Sequence, residues 1–458
     1  MTDQRSLTPF EQELWAVQST APLSVAYNLC MAFDLQGKLN ESALKSAIDV
    51  VVARHPALRS AFPTVAGSPC RVPAREVPML PPAIPVTGGS EECARTLLGQ
   101  WTAEPFDLTN GPLFCARLIR LTHERHVLAI TIHHIVADGA SLTVIGDQIL
   151  TAYEGVAGGV NLQLDRHCRL PSDGTGEAPL SASGVKTLEH YWVERLGQLG
   201  PGLPSSAESG APNNRGEPMV AEFALGPGAG PKCRQLARSE RSSPFVVGLS
   251  AFMIFLHRWA EPHPVAIATP VDLRVESGSE RNVGLYINLL PIVMQVDRKD
   301  SFRTAVRRTR NAFLEDLGHA DLPFCRIAEL AHDACAPDRH AVAQAAFQIA
   351  PERRTTSRAG LVIRSFSLPP AALARFPPAA RTRTGAEFTV QVWMYDDAEL
   401  SGVFRTGGNT SEDPSALAAA FNQTFSDLMS TPDVPIGALG PWRLPPNVAP
   451  RAAIPGEM

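Results

Sequence analysis

Two adjacent histidines, His133 and His134, are followed by Asp138 and Gly139 in the stretch ITIHHIVADGAS, residues 130–141. Histidine suits general acid–base chemistry near neutral pH, because its unperturbed pKa of about 6.5 leaves a neutral base available. The aspartate four residues further on has the look of a second catalytic carboxylate. The same residues could instead bind a metal ion or form an ordinary turn, since Asp-Gly is common in turns.

The surrounding pattern places this motif between a strand and a helix. The run HVLAITIHH, residues 126–134, is typical of a buried strand, and helical spacing resumes at residue 141. Successive side chains of a strand point to opposite faces, so the two histidines should diverge and form a poor two-ligand metal site. No third ligand lies at metal-site spacing, and we predict no metal. We assign the cavity-facing role to His134, and we expect Gly139 to allow a close backbone approach or a positive φ.

The remaining sequence mixes helical and strand patterns in two halves of similar size. Residues 40–62 carry an apolar stripe at helical spacing, with Asn40 as a plausible N-cap. Residues 243–259 are apolar nearly all round and predict a buried helix, followed by a strand that ends at a charged segment. A Gly-, Pro- and Ser-rich stretch separates the halves. We therefore predict an α/β fold with two domains, residues 1–175 and 176–458, and a ligand cleft is natural between two such domains.

Net charge, apolar runs and cysteine spacing argue against several classes of protein. The 458 residues carry a net charge of −5, which offers no global attraction to nucleic acid or to an anionic membrane. The sequence has no apolar run of bilayer length, its N-terminus lacks the plan of a secretory signal, and its eight cysteines form no CxxC pair. These features predict a cytoplasmic protein with reduced thiols and neither a nucleic-acid nor a membrane partner.

Several segments resemble the condensation domains of nonribosomal peptide synthetases. The stretch HHIVADG is similar to the HHxxxDG motif of the wider superfamily of carrier-protein- and CoA-dependent acyltransferases. The other matching segments occur in the order found in that family. They are LTPFEQELW (7–15), RHPALRSAF (54–62), PFDLTNGPLF (105–114), NVGLYINLLPI (282–292) and DLPFCRIAEL (321–330).

The resemblance implies two chloramphenicol-acetyltransferase-like subdomains in a V-shaped pseudo-dimer with a central tunnel. It implies that His134 is catalytic, either as a base or by positioning the nucleophile and stabilising the tetrahedral species. His133, Asp138 and Gly139 would be structural members of the loop. In the family the aspartate turns away from the substrate and pairs with an arginine that matches Arg274. Asn288 matches an asparagine that could line the tunnel and contact substrate.

The resemblance further implies an acyltransferase of natural-product biosynthesis. We expect a free-standing, monomeric condensation enzyme that needs no bound cofactor. A separate carrier protein would deliver an aminoacyl or acyl thioester on phosphopantetheine. The acceptor would be a small molecule with a hydroxyl or an amine, as in some enediyne pathways, and ester formation is slightly preferred by analogy.

Two alternatives stay open: a CoA-dependent O- or N-acyltransferase of the same superfamily, and a non-catalytic module that recruits carrier proteins. The Arg-rich segment SFRTAVRRTRNAFLEDL, residues 301–317, either docks an acidic carrier protein or is the solvated face of an amphipathic helix.

Overall fold

The computed structural model describes residues 5–77, 79–160, 181–197, 219–259, 264–274, 279–334, 344–351, 355–369, 389–407 and 412–439, with positions 199, 203, 342 and 410. Its helices are α1 (Pro9–Thr20), α2 (Glu41–Arg54), α3 (Glu91–Thr102), α4 (Gly139–Ala157), α5 (Ala182–Leu196), α6 (Ala229–Ser239), α7 (Pro244–Trp259), α8 (Phe302–Leu317), α9 (Phe324–Ala334) and α10 (Pro414–Ser430).

Polar side chains fix where several of these helices begin. A capping residue accepts a hydrogen bond from a backbone N–H of the first turn that has no partner inside the helix. Asn40 caps α2 in this way, as the sequence predicts, by accepting from the N–H of Ala43 at 3.0 Å. At α1 the exchange is reciprocal, because Thr8 and Glu11 each bind the other's backbone N–H in a capping box.

Within the described residues the strands form two six-stranded sheets and two small two-stranded sheets. They are β1 (Asn28–Gln36), β2 (Ser60–Ala61), β3 (Thr64–Val65), β4 (Ser68–Pro69), β5 (Val72–Pro73), β6 (Ile84–Pro85), β7 (Phe114–Thr122), β8 (Arg125–His133), β9 (Met219–Ala224), β10 (Val265–Asp272), β11 (Ile287–Met294), β12 (Ala345–Pro351), β13 (Thr356–Arg358), β14 (Leu361–Ser365), β15 (Val390–Asp396) and β16 (Ser401–Thr406).

The first sheet has the order β13-β14-β1-β8-β7-β6, with β8 near its centre and antiparallel to both neighbours. Alternate residues of β8 enter two different cores. Ile130 and Ile132 pack in the same cluster as the apolar stripe of α2 and the inner face of α4, whereas Val127 and Ala129 pack with α3. Because both faces of β8 are packed against other elements, the C-terminal end of this strand holds the start of the following loop in place.

The second sheet has the order β11-β10-β12-β15-β16-β9. Strands β10, β12 and β15 run parallel, while β16 and β9 continue the sheet in antiparallel fashion. The predicted all-round apolar helix is α7, and every residue from Val246 to Leu256 is buried. Phe252 of α7 lies in ring contact with Phe347 of β12 and Phe421 of α10. The predicted mixed α/β class is thus confirmed.

The chain divides into two compact units that are discontinuous in sequence. Unit 1 comprises Met1–Val185, Val271–Asn288 and Arg353–Arg381, and unit 2 comprises Lys186–Pro270, Leu289–Glu352 and Thr382–Met458. They differ from the predicted domains 1–175 and 176–458, because two later segments return to unit 1. One of these segments holds β14, which pairs with β1. The predicted boundary at 175 lies outside the described residues.

Candidate active site

The histidine motif lies where strand β8 becomes a single turn of 3-10 helix, His134–Val136. Strand β8 ends at His133, whose ring Nδ1 accepts a hydrogen bond from the N–H of Ile135 at 3.1 Å and caps the turn. The prediction that both histidines alternate on one strand is therefore wrong. His134 is already part of the turn, because the cap ends the extended backbone one residue earlier than the hydrophobic pattern indicates.

His133 is a structural histidine. Its side chain is fully buried, and burial, followed by the neighbouring His134, lowers its pKa to about 3. Since Nδ1 accepts a hydrogen bond, the single proton of the neutral ring belongs on Nε2. The rings of Tyr27 and Phe106 lie nearby, with centroid distances of 6.1 and 6.3 Å. The ring therefore helps to shape the loop in its neutral form.

His134 is held in place by its backbone, and its imidazole is buried. Its N–H donates to the carbonyl of Tyr27 at 2.8 Å. Within the described residues its Nδ1 is buried and makes no hydrogen bond, although the carbonyls of His134 and Ala137 raise its pKa. Burial has the largest effect and outweighs those carbonyls and the Asp138 carboxylate, so the pKa of His134 is lowered. The imidazole is therefore neutral at pH 7, as a general base must be.

Asp138 is the N-cap of α4 and is fully buried. Its Oδ1 accepts from the Ser141 N–H and hydroxyl, each at 2.8 Å, and from Arg274 Nη2 at 2.9 Å. Its Oδ2 accepts from the N–H of Tyr286 at 2.9 Å. With both oxygens engaged by protein donors, the carboxylate can orient the loop but is poorly placed to take a proton from substrate.

Arg274 is the ionic partner of Asp138, as the resemblance implies. Its side chain is 3% exposed and contacts Asp138 and Asp272, each at 2.9 Å. The guanidinium also lies 4.3 Å from the ring centroid of Tyr286, within cation–π distance. Burial works against the charge, but the two carboxylates outweigh it and raise the pKa of Arg274. The arginine remains charged and holds the loop in place.

Sequence reasoning missed two members of this arrangement, Ser141 and Tyr286. Ser141 contributes both an N–H and a hydroxyl, and the signal available for it was its place three residues after an N-cap aspartate. Tyr286 contributes its backbone N–H and its ring face, and it stands in the motif NVGLYINLLPI. A backbone contact leaves no signature in residue type, so only coordinates could reveal it.

Two other predicted site residues have different outcomes. Gly139 is the exposed first residue of α4, its φ is not positive, and an added Cβ would meet no atom within 4 Å. The expected close approach or positive φ is therefore wrong, because the first position of a helix suits any residue. Asn288 lies on β11 and is buried at 3% exposure. Its role toward substrate stays a prediction.

The Arg-rich segment forms helix α8, and its four arginines are engaged within the chain. Arg303 and Arg307 contact Glu240, Arg308 contacts Asp300, and Arg310 donates to the Glu240 carbonyl. These contacts neutralise part of the helix's positive charge. The observation favours the solvated amphipathic face over a docking site for an acidic partner.

Two buried histidines of unit 1 are expected to make the free energy of unfolding dependent on pH. Burial lowers the pKa of His55 to about 4 and that of His133 to about 3. His55 donates a hydrogen bond from Nε2 to Gln148 Oε1 at 2.8 Å. The unfolded chain protonates both near pH 6.5, so their stabilisation is complete above that pH and is lost as the pH falls toward 4. We expect each to remove roughly 2 kcal/mol of unfolding free energy between pH 7.5 and pH 5.

Urea unfolding of the wild type and of His55→Gln at the two pH values tests this expectation. The variant keeps a donor toward Gln148 but cannot titrate, so its loss on acidification should be smaller by about 2 kcal/mol. The matched control is His190→Gln, since the side chain of His190 is 75% exposed. An equal loss in His55→Gln and the wild type would contradict the expectation.

Two features that the described residues lack bear on ligands and membranes. No cluster of three or more histidine, cysteine, aspartate or glutamate side chains suited to a metal ion occurs among them. No helix in the described part of the chain combines the length and apolarity needed to cross a bilayer.

Comparison with solved structures defines the class of fold. The first condensation domain of the CDA synthetase matches with a TM-score of 0.76 at 20% identity, covering 95% of this chain and 98% of that one. The condensation domain of the Monacolin K polyketide synthase MokA matches with a TM-score of 0.78 at 18% identity, covering 94% and 99%. The fold is that of condensation domains, with their chloramphenicol-acetyltransferase-like architecture.

The condensation domain model matches residues 1–438, and the chain therefore belongs to the condensation domain family. Chondramide synthase cmdD of Chondromyces crocatus is 30% identical over 328 residues, 70% of this chain and 8% of that protein. Tyrocidine synthase 3 of Brevibacillus parabrevis is 29% identical over 314 residues, 67% of this chain and 5% of that protein. The chain thus spans less than a tenth of the length of these relatives.

Proposed function

We propose that the protein is a condensation enzyme of natural-product biosynthesis. It transfers an aminoacyl or acyl group from the phosphopantetheine thioester of a carrier protein to an amine or a hydroxyl, forming an amide or an ester. The proposal depends on one observation: a neutral His134 stands on a turn that leads into helix α4, and the N-cap of that helix, Asp138, is fixed by a buried ion pair with Arg274. Membership in the condensation domain family supports it.

The residues of the loop suit this chemistry. The acceptor attacks the thioester carbonyl, a C–N or C–O bond forms, and the C–S bond breaks. His134 takes the proton that the acceptor loses and returns it to the departing thiolate, so atoms and charge balance without a redox cofactor. Because Nδ1 is enclosed, Nε2 is the nitrogen that would act. Helix α4 begins five residues later, and its positive end would favour the negative charge that develops on the carbonyl oxygen.

The base and positioning roles of His134 differ with the acceptor. A hydroxyl needs a base to become a nucleophile, whereas a neutral amine attacks without prior deprotonation. For an amine, His134 would mainly orient the nucleophile and stabilise the tetrahedral species. We favour an alcohol acceptor slightly, and we propose that the carrier protein is a separate chain and that the enzyme binds no cofactor of its own.

Intact-mass spectrometry of loaded carrier proteins tests the proposal. A separately expressed carrier protein, charged with a panel of aminoacyl-phosphopantetheine groups, is incubated with the enzyme and with amine and alcohol acceptors. The expected result is enzyme-dependent loss of the acyl mass from the carrier and appearance of the amide or ester. Carrier charged with acyl-phosphopantetheine but lacking acceptor is the control for hydrolysis. No acyl transfer from any carrier would contradict the proposal.

A CoA-dependent acyltransferase is the second candidate, favoured by one observation. The starter condensation domain of rhizomide synthetase RzmA, solved in complex with C8-CoA, matches with a TM-score of 0.76 at 17% identity. Parallel assays with the same acyl group on CoA and on the carrier protein separate the two candidates. A higher kcat/KM with acyl-CoA would favour the second.

A non-catalytic recruitment module is the third candidate. The complex of the X-domain and OxyB from teicoplanin biosynthesis matches with a TM-score of 0.71 at 19% identity, which shows that this fold also occurs in complex with another protein. Such a module would bind carrier protein without turnover, and its function would survive loss of His134. The enzyme is favoured by the position of His134 on a loop that the buried Asp138–Arg274 pair fixes, an arrangement that a recruiting surface does not require.

A further inference from the structure

A short segment of unit 1, residues 282–286, supplies backbone groups that bind Ser141, Asp138 and Arg274. We name it the clamp segment. Its contacts are made by three backbone positions. Asn282 O accepts from Arg274 Nε at 3.4 Å, Gly284 N donates to Ser141 Oγ at 3.1 Å, and Tyr286 N donates to Asp138 Oδ2 at 2.9 Å. The conformation of this segment therefore decides where Asp138 and Arg274 meet.

The side chain of Tyr286 connects the clamp segment to a second arginine. Its ring face receives Arg274, and its phenol is hydrogen-bonded to the side chain of Asn282 at the other end of the segment. Burial raises the pKa of this phenol to about 12, while the nearby charges of Arg274 and Arg71 pull it down. The charges of two arginines thus act on Tyr286, and one of them, Arg274, lies against its ring face.

Arg71 is itself fixed by a buried carboxylate on the N-terminal helix. It forms an ion pair with Glu11 of α1, and the two side chains are 2% and 0% exposed. The pair is anchored twice, because Glu11 closes the capping box of α1 and Arg71 is bridged to Arg5 through both backbone groups. The two side chains of such a buried pair stay together, because separating them leaves a buried charge without compensation.

We infer that Glu11, Arg71 and Tyr286 are positioning residues for the condensation reaction. They form a buried electrostatic connection in which Glu11 pairs with Arg71 and the charge of Arg71 acts on the Tyr286 phenol. The clamp segment in turn holds the Asp138–Arg274 pair, and the connection thereby sets the electrostatic environment of His134. The inference rests on the proposed role of His134, but it can be measured without turnover.

The expected consequence follows from charge. The titratable groups next to the His134 ring are Asp138 of its own loop and His133 of β8, and the carbonyls of His134 and Ala137 also act on the ring. The Tyr27 carbonyl accepts from the backbone N–H of His134. Arg274 neutralises Asp138. If the clamp segment loosens, that neutralisation weakens, and Asp138 stabilises the protonated imidazole more strongly. His134 should then protonate at higher pH.

Tyr286→Phe tests the connection, because it removes the phenol while keeping the ring and the backbone N–H. His134 is followed by NMR titration of histidine-labelled protein, with its signal assigned from His134→Asn. The ratio of protonated to neutral His134 at a fixed pH is expected to rise about three-fold. The matched control is Tyr153→Phe, which removes a buried phenol that accepts from Asn40 N at 3.1 Å, fourteen positions into α4. The control should leave the titration of His134 unchanged.

Glu11→Gln is the second variant, and it acts from the far end of the connection. It is expected to shift the His134 titration in the same direction and to lower kcat about ten-fold with KM unchanged. Its control is Asp316→Asn, which neutralises a fully buried carboxylate paired with Arg195 in unit 2. A purely structural role predicts equal loss of thermal stability in both variants and no titration shift in either.

The outcomes separate this inference from the proposed function. If His134 titrates in Tyr286→Phe as it does in the wild type, the inference is overturned, even if the enzyme transfers acyl groups from the loaded carrier protein. Should Tyr286→Phe not fold, the same result in Glu11→Gln overturns it. A shifted titration in a protein that transfers no acyl group would support the connection and overturn the proposed function alone.

Discussion

Replacing His134 with alanine is expected to lower kcat for acyl transfer from the loaded carrier by about 10²- to 10⁴-fold, the range that a general base contributes. Folding should survive, because the loop is fixed through the His134 backbone and the described residues give its Nδ1 no hydrogen bond. Intact-mass kinetics give the rate, and thermal unfolding gives the stability. The loss should be larger for an alcohol acceptor than for an amine, since only the alcohol depends on deprotonation by the enzyme.

The control for this prediction lies on strand β8, which leads into the turn that carries His134. His126 of β8 is buried at 3% exposure, and its Nε2 is 3.9 Å from the Glu41 carboxylate. His126→Ala should retain wild-type turnover although it removes a histidine of similar burial. A second signature is the pH profile: the acidic limb of the wild type reports the neutral form of His134 and should vanish in His134→Ala. Full activity of that variant would refute the catalytic role and favour the recruitment module.

The elements around the site follow from local sequence pattern. The stripe Leu44, Ala47, Ile48, Val51 and Val52 is fully buried on α2, because 3.6-residue periodicity brings these side chains to one face. The central strand β8 is equally clear, since a β-rich apolar run that is covered on both faces has no polar alternation. The hydrophobic pattern extends one residue beyond the end of that strand, because a side-chain cap at His133 and not hydrophobicity decides where the strand ends.

The contacts that fix the loop could be predicted only in part. Asp138 and Arg274 are 136 residues apart, and their pairing was expected only from the family resemblance. The contacts of Gly284 and Tyr286 use backbone groups, which every residue type carries, so no pattern in the sequence announces them. Gly139 shows the opposite error: a glycine in a motif suggested a strained backbone, but the position is the ordinary start of a helix.

Loss of either Asp138 or Arg274 is expected to lower the unfolding free energy by about 3–5 kcal/mol and the rate of acyl transfer by about 10²-fold. Asp138→Ala leaves two buried backbone donors, the N–H groups of Ser141 and Tyr286, without an acceptor, and it removes the carboxylate that pairs with Arg274. Arg274→Ala leaves a carboxylate without its cation. Both effects act through the placement of His134, so the rate should fall in kcat and leave KM little changed.

A double-variant cycle distinguishes this ion pair from two independent structural contacts. Asp138→Ala combined with Arg274→Ala should cost less than the sum of the single losses by at least about 1 kcal/mol, because removing the second charge relieves the uncompensated first. Asp272→Ala is the matched control: it also contacts Arg274 at 2.9 Å, but its side chain is 45% exposed, so its loss should cost at most about 1 kcal/mol. Strict additivity in urea unfolding, or an equally large effect of Asp272→Ala, would show that the buried pair does not fix the loop as a unit.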